Sequence, residues 1–249
     1  MAETRDASSQ VRYRRVLLKL SGEALRNKAK GLSIDPEIVA GIARQVKDVH
    51  ALGVEVALVV GGGNIFRGTT AAQRGLDRTS GDYMGMLATI INGLALQSGL
   101  EKAGLETRLQ TAIEMRQIAE PFILRRALRH FEKKRILIFA GGTGNPYFST
   151  DTAAALRASE IGAEALLKAT TMVDGVYSSD PLADSGAVKY DELTYEEAIA
   201  KSLKIMDGAA FALCREHRIP IVVFKFSAQG EDNLMRIVRG EKIGTLIHS

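Results

Sequence analysis

Short runs of branched apolar residues alternate with longer segments of helical periodicity along most of this chain, and few architectures accommodate that alternation. Val16-Leu17-Leu18-Lys19-Leu20 reads as a buried strand ending in the turn Ser21-Gly22-Glu23. Asp35-Pro36 then supplies an N-cap and a first-turn proline, and Ile38, Ile42, Val46 and Val49 recur at helical spacing until Gly53. Val54 to Val60 is the next strand. The pattern continues with helices from about Asp82 to Lys102, Pro121 to Phe131, Thr150 onward, Thr194 to Lys201, Asp207 to His217 and Glu231 to Val238. Between them fall strands near 107–112, 136–140, 165–168 and 219–224, and a last one ending at Leu246-Ile247. Strands that alternate with helices predict a three-layer α/β/α sandwich with a mainly parallel central sheet. No repeat or linker interrupts it, so residues 12–249 are expected to form a single domain after a disordered N-terminal tail, 1–11.

Composition narrows the function. A hydrophobic content of 46% over 249 residues fills a sizeable core, which excludes a largely disordered chain. Net charge is only +4 and aromatics are 6%, without the basic stripe and interleaved aromatics of a nucleic-acid binder, so small anions are favoured as ligands. The densest basic group, Arg125, Arg126, Arg129, Lys133, Lys134 and Arg135, reads as the solvated face of a helix. Cys214 is the single cysteine; no intrachain disulfide is possible, and a buried thiol in a reducing, cytoplasmic setting is expected. The longest uncharged stretch, Tyr83 to Gly99, is broken by Asn92, Gln97 and Ser98 and is too short to cross a bilayer, so no membrane association is expected.

Ligands of open parallel sheets bind at the carboxyl ends of the strands, and there the chain concentrates glycine and polar residues. Four such ends stand out: Lys19-Leu20-Ser21-Gly22, Gly61-Gly62-Gly63-Asn64, Gly141-Gly142-Thr143-Gly144-Asn145-Pro146, and Lys168 through Tyr177. The triplet Gly61–Gly63 suits either a tight strand-to-helix turn or a loop whose amides approach an anion, with positive φ available at no steric cost. No G-x-x-x-x-G-K-[ST] motif occurs, and Phe66 stands where a dinucleotide fingerprint has its last glycine, so neither a P-loop nor a Rossmann site is indicated. What remains is an α/β protein handling phosphate, with Lys19 either a surface lysine or a cation aimed at a transferred phosphoryl group.

The succession K-L-S-G-E, G-G-G-N-I-F-R-G, G-D-Y-M-G-M-L-A-T, G-T-G-N-P-Y-F-S-T-D and V-D-G-V-Y resembles the bacterial uridylate (UMP) kinases of the amino acid kinase family, from about Arg14 to the C terminus. The resemblance implies transfer of the γ-phosphoryl group of ATP to UMP, with magnesium accompanying ATP. On that basis Lys19 and Asp151 would be catalytic, with Asp151 orienting the lysine, although an acid in a first helical turn also suits the helix dipole. ATP would lie against Lys19, Leu20, Ser21, Gly22, Gly63, Arg67, Tyr177 and Asp180. The loop Lys168-Ala169-Thr170-Thr171-Met172-Val173-Asp174 is one residue longer than in some members, which leaves the adenine contact to Thr170 or Thr171. UMP would lie against Gly62, Asp82 and the loop Thr143, Gly144, Asn145, Pro146, Tyr147, Phe148, Ser149 and Thr150. Asp82 can accept both ribose hydroxyls as donors, or serve as a helix cap after Ser80-Gly81. No protein-held metal site is expected.

Two other activities share parts of this pattern: a kinase acting on a carboxylate or carbamate, and a non-catalytic nucleotide- or oxyanion-binding protein. The resemblance further implies a homohexamer built as a trimer of dimers, GTP as activator and UTP as inhibitor. Arg108 would belong to an effector site, and Ser98 stands where some relatives carry an acid. In the segment 84–96, one helical face holds Met84, Leu87, Ile91 and Leu94 and another holds Met86, Ile90 and Ala95. A helix covering a sheet needs one apolar face; the second is expected at a subunit contact, with Ile90 as its probe.

Overall fold

The computed structural model describes residues 11–67 and 75–249. Its strands are β1 (Arg15–Leu20), β2 (Glu55–Val60), β3 (Thr107–Thr111), β4 (Glu120–Pro121), β5 (Ile136–Ala140), β6 (Ala165–Thr170), β7 (Val176–Tyr177), β8 (Lys189–Tyr190), β9 (Glu192–Thr194), β10 (Ile221–Lys225) and β11 (Thr245–His248). The helices are α1 (Pro36–Ala51), α2 (Arg78–Lys102), α3 (Leu124–Glu132), α4 (Thr150–Ile161), α5 (Tyr195–Ala200), α6 (Gly208–Glu216) and α7 (Asn233–Val238), and a single 3-10 turn covers Gly22–Leu25. The main sheet has nine strands in the order β4-β3-β5-β2-β1-β6-β10-β11-β9. Every pairing from β4 to β10 is parallel, and β11 turns antiparallel against β10.

The period-2 geometry of strands divides the central residues between two cores. Val16, Leu18 and Leu20 face the layer of α1, α2 and α7, while Leu17 faces the layer of α3, α4 and α6. Lys19 therefore points to the α4 side, and Lys168 does the same on β6, because Leu166 lies in that core and Leu167 in the other. β1 and β6 are neighbours with Lys19 opposite Lys168. The two ammonium groups are thereby brought together at the carboxyl end of the sheet.

Some expectations need correction. The long helix begins at Arg78, not Asp82, with Asp77 as its cap accepting from the Ser80 amide at 2.8 Å. The hairpin β7–β8 and the strands β4 and β9 have no counterpart in the periodicity reading. Most of the expected tail, 1–10, lies outside the described residues; Val11 packs against the core and the Arg12 amide donates to Val238 O at 2.8 Å. Ile90 is only 4% exposed, packed into the core with Leu96 and Leu100, whereas Tyr83, Met84, Leu87, Ile91 and Leu94 are 39–49% exposed. The uncovered apolar face of α2 is thus the Met84–Leu87–Ile91–Leu94 stripe. Cys214 is buried in α6, where burial and the carboxylates of Asp151 and Asp207 push its thiol up to about 12.

Candidate active site

Asp151 sits in the first turn of α4, between the lysines that β1 and β6 deliver. Its Oδ1 lies 2.7 Å from Lys19 Nζ, and Oδ2 accepts a hydrogen bond from Lys168 Nζ. All three side chains are nearly enclosed, at 13–15% exposure. Burial alone would raise the Asp151 carboxyl, but the two ammonium groups outweigh it and hold it below the usual range. Lys168 moves downward, chiefly through burial and then through the neighbouring charge of Lys19, against the pull of Asp151 and Asp207. The result is a carboxylate clamped between two cations. Lys168, a bare strand-end lysine in the sequence, joins the site through its register with Lys19.

Around this cluster the loops interlock. A Cβ on Gly22 would lie 2.4 Å from Asn64 Oδ1 and 2.7 Å from Gly61 O, and one on Gly62 would lie 2.7 Å from Gly85 O on α2. None of Gly61, Gly62 and Gly63 has positive φ; that conformation is found at Gly141, Gly142 and Gly144. The bare backbone at Gly61 and Gly62 thus serves close packing of one loop on another and on α2, and it is the later loop that needs left-handed residues. Arg67 closes the turn, donating to Gly63 O at 3.2 Å and to Glu23 Oε1 at 2.6 Å. Ser21 caps the 3-10 turn, while the Leu20 side chain is fully buried and its carbonyl is taken by the Gly61 amide at 2.9 Å.

On one side of the cluster lies a cleft of about 370 Å³ lined by Gly62, Gly63, Arg67, Asp82, Tyr147, Phe148, Ser149 and Thr150, among others. Asp82 accepts from Arg78 Nε at 2.8 and 2.9 Å and from the Tyr147 amide at 2.8 Å. Tyr147 reaches it with φ of 72°, an uncommon conformation for a non-glycine residue, and stacks under the Arg78 guanidinium. Thr143, Gly144 and Asn145 form a tight turn beside it, held by the Thr143 Oγ1 bond from the Asn145 amide at 3.2 Å and by Gly144 N to Gly141 O at 3.0 Å. Pro146 leads from this turn into Tyr147. Ser149 caps α4, accepting from the amides of Asp151 and Thr152 at 2.9 and 3.2 Å, and donates to Asp207. Asp207 caps α6 in turn, a link that sequence spacing does not reveal.

On the other side lies a larger cleft of about 520 Å³, lined by Lys168, Thr170, the hairpin residues Gly175 to Pro181, and Lys201 to Ile205. Tyr177 and Asp180 therefore border it. Tyr177 Oη donates to Asp174 at 2.6 Å, and this bond chiefly lowers the Asp174 carboxyl. Thr170 lines the cleft with its hydroxyl turned to backbone carbonyls, whereas Thr171 opens on a separate hollow beside Glu23 and Phe226. Lys168 lines the larger cleft and Thr150 the smaller, and Asp151, next to Thr150 in the chain and bonded to Lys168, stands between them.

The profile of the amino acid kinase family matches residues 14–225. This chain belongs to the amino acid kinase family. Within the family it is 56% identical over 239 residues to a uridylate kinase of Pediococcus pentosaceus, covering 96% of this chain and 98% of the relative. The crystal structure of a UMP kinase from Bacillus anthracis superposes with a TM-score of 0.90 at 40% identity, over 95% of this chain and 96% of that one. A UMP kinase from Ureaplasma parvum gives 0.89 at 35% identity, covering 96% and 100%. A uridylate kinase from Archaeoglobus fulgidus gives 0.71 at 29%, covering 93% and 99%. The α/β architecture is that of these UMP kinases.

Among the described residues, no group of three His, Cys, Asp or Glu could hold a metal ion. Asp151 Oδ1 is buried and lacks an aligned hydrogen bond despite its close ion pair. A magnesium ion accompanying a phosphate ligand would therefore be held mainly by phosphate oxygens and water, with Asp151 the acid nearest to it between the clefts. No helix among the described residues is long and apolar enough to cross a membrane.

Proposed function

We infer that the chain is a UMP kinase, a nucleoside monophosphate kinase that transfers the γ-phosphoryl group of ATP to UMP and releases UDP and ADP. The observation that carries this reading is the Lys19–Asp151–Lys168 cluster at the junction of two clefts. ATP occupies the larger cleft, its adenosine against Thr170, Tyr177 and Asp180 and its phosphates extending past Ser21, Gly22 and Gly63 toward Lys19. UMP occupies the smaller cleft, with its ribose at Asp82, its base along Tyr147 and Phe148, and its phosphate facing Gly62 and Thr150, while Arg67 at the rim of that cleft serves the ATP phosphates. Magnesium bound to the ATP phosphates supplies further charge neutralisation. A loose phosphoryl-transfer transition state spreads negative charge over the transferred oxygens, so two fixed ammonium groups stabilise it more than they stabilise the ground state. Asp151 holds both cations in place and favours the charged form of Lys168.

Asp82, the Tyr147 loop and the identity to uridylate kinases favour a nucleotide acceptor over a carboxylate or carbamate, and the retained lysine pair favours catalysis over storage. ADP release measured with UMP, CMP, glutamate derivatives and no acceptor separates these activities. Release dependent on UMP is expected; equal release with a carboxylate acceptor, or none at all, rejects the assignment.

The same reading extends to assembly and control. The chain works in the cytoplasm as a homohexamer, a trimer of dimers joined through the exposed stripe of α2, with GTP and UTP as effectors. Arg108, 3.8 Å from Glu120 at the β3–β4 edge, belongs to the effector surface.

A further inference from the structure

Asn64 follows the glycine triplet, and its side chain lines neither cleft. It is 6% exposed and faces Asn92, which is fully buried in the middle of α2. The two carboxamides pair reciprocally: Asn64 Nδ2 donates to Asn92 Oδ1 at 3.0 Å, and Asn92 Nδ2 donates to Asn64 Oδ1 at 2.7 Å. Each nitrogen gives its second hydrogen to a main-chain carbonyl, Ser33 O at 2.8 Å from Asn64 and Gly61 O at 2.7 Å from Asn92. All four N–H groups are satisfied, and turning either amide over would set oxygen against carbonyl oxygen, so the network fixes both orientations.

This ring of hydrogen bonds joins the parts that must be aligned for transfer. Gly22, at the donor side, rests on Asn64 Oδ1 so closely that a Cβ there would lie 2.4 Å away. Gly61, at the root of the glycine loop, is held by Asn92. Asp82, at the acceptor side, stands on the same rigid helix as Asn92, roughly 15 Å along its axis. A buried polar pair with so few alternatives has one arrangement, whereas an apolar contact slides.

We propose that Asn64 and Asn92 are positioning residues, a joint that fixes the acceptor-bearing helix against the donor loops. The inference rests on the UMP kinase reading. It predicts that breaking the pair leaves each nucleotide bound and the two misaligned, the situation in which small displacements cost rate and not affinity.

The test uses the full chain with Asn64→Leu, Asn92→Leu, the double replacement and the near-isosteric Asn92→Asp. In the folded variants kcat should fall about a hundredfold, with KM for ATP and for UMP each within a factor of about three. The double variant should be no slower than either single one, since both break the same joint. In wild-type protein, ATP alone should slow hydrogen exchange in the first turns of α2 around Asp82, and the variants should lose that protection. Variants that melt earlier but keep wild-type kcat would show mere core filling and overturn the proposal, as would a KM rise confined to one nucleotide. If a single leucine variant does not fold, the double and the aspartate variants decide. If wild-type protein does not phosphorylate UMP, the functional reading fails, and the ATP-dependent protection alone judges the joint.

Discussion

At the scale of single residues, the central question is why two cations tolerate burial side by side. The Lys19 and Lys168 charges oppose each other, and Asp151 between them supplies attraction on both sides. On the proposed mechanism Lys19→Ala removes charge that acts on the transition state, and kcat should fall by on the order of a hundredfold or more with much smaller changes in either KM. Steady-state kinetics with both substrates varied would contradict this if the loss lay in KM alone. Asp151→Asn should also move the pH profile. Asp151 raises the Lys168 ammonium against burial and Lys19, so its removal lets Lys168 lose its proton at lower pH. The alkaline decline of kcat is then expected to shift toward neutrality, and an unshifted limb would mean that Lys168 is not required in its charged form. Asp82→Asn isolates the acceptor side: UMP should weaken while ATP affinity holds, and equal loss for both nucleotides would mark a structural role.

At the scale of elements, the larger cleft depends on a hairpin whose strands are two residues each, too short to be stable alone. Thr245, fully buried on β11, holds both: its Oγ1 accepts from the Val176 amide at 2.8 Å and donates to Tyr190 O. Replacing it with the isosteric valine should raise KM for ATP severalfold, and Thr245→Ser should restore it. A change in the UMP KM instead would place the effect elsewhere. This hairpin was not legible in the sequence, because its support lies far along the chain and period-2 alternation needs more than two residues. β1, β2, β5 and α1 were legible, since their apolar spacing and the Asp35-Pro36 cap are local signals. The same division holds at the site. The glycine loops and Lys19 are announced by residue type, but Lys168 enters through strand register and Asp207 through a cap on another helix. The start of α2 was misplaced because Asp77, Ser80 and Asp82 are all plausible caps, and only the hydrogen bond to the Ser80 amide distinguishes them.

At the scale of the whole molecule, the proposed contact between copies runs along α2. Its inner face, Met86, Ile90, Leu96 and Leu100, is buried against the sheet, while Tyr83, Met84, Leu87, Ile91 and Leu94 form a continuous stripe left 39–49% exposed. A stripe of this kind, free of charge along the middle of a long helix, is a costly surface to leave in water and a suitable one to pair with its own copy about a two-fold axis. The helix also carries Asp82 near one end and Asn92 at its centre, so a contact along the stripe would bear on the smaller cleft as well as on mass. Ile91→Glu places a carboxylate on the exposed stripe without touching the core, and the oligomer mass in light scattering should drop while the melting temperature of the monomeric unit changes little. Ile90→Glu buries an unpaired charge instead and should lose folding together with assembly. A folded Ile91→Glu protein of unchanged mass, or wild-type protein that is monomeric at micromolar concentration, would exclude the α2 stripe as the subunit contact.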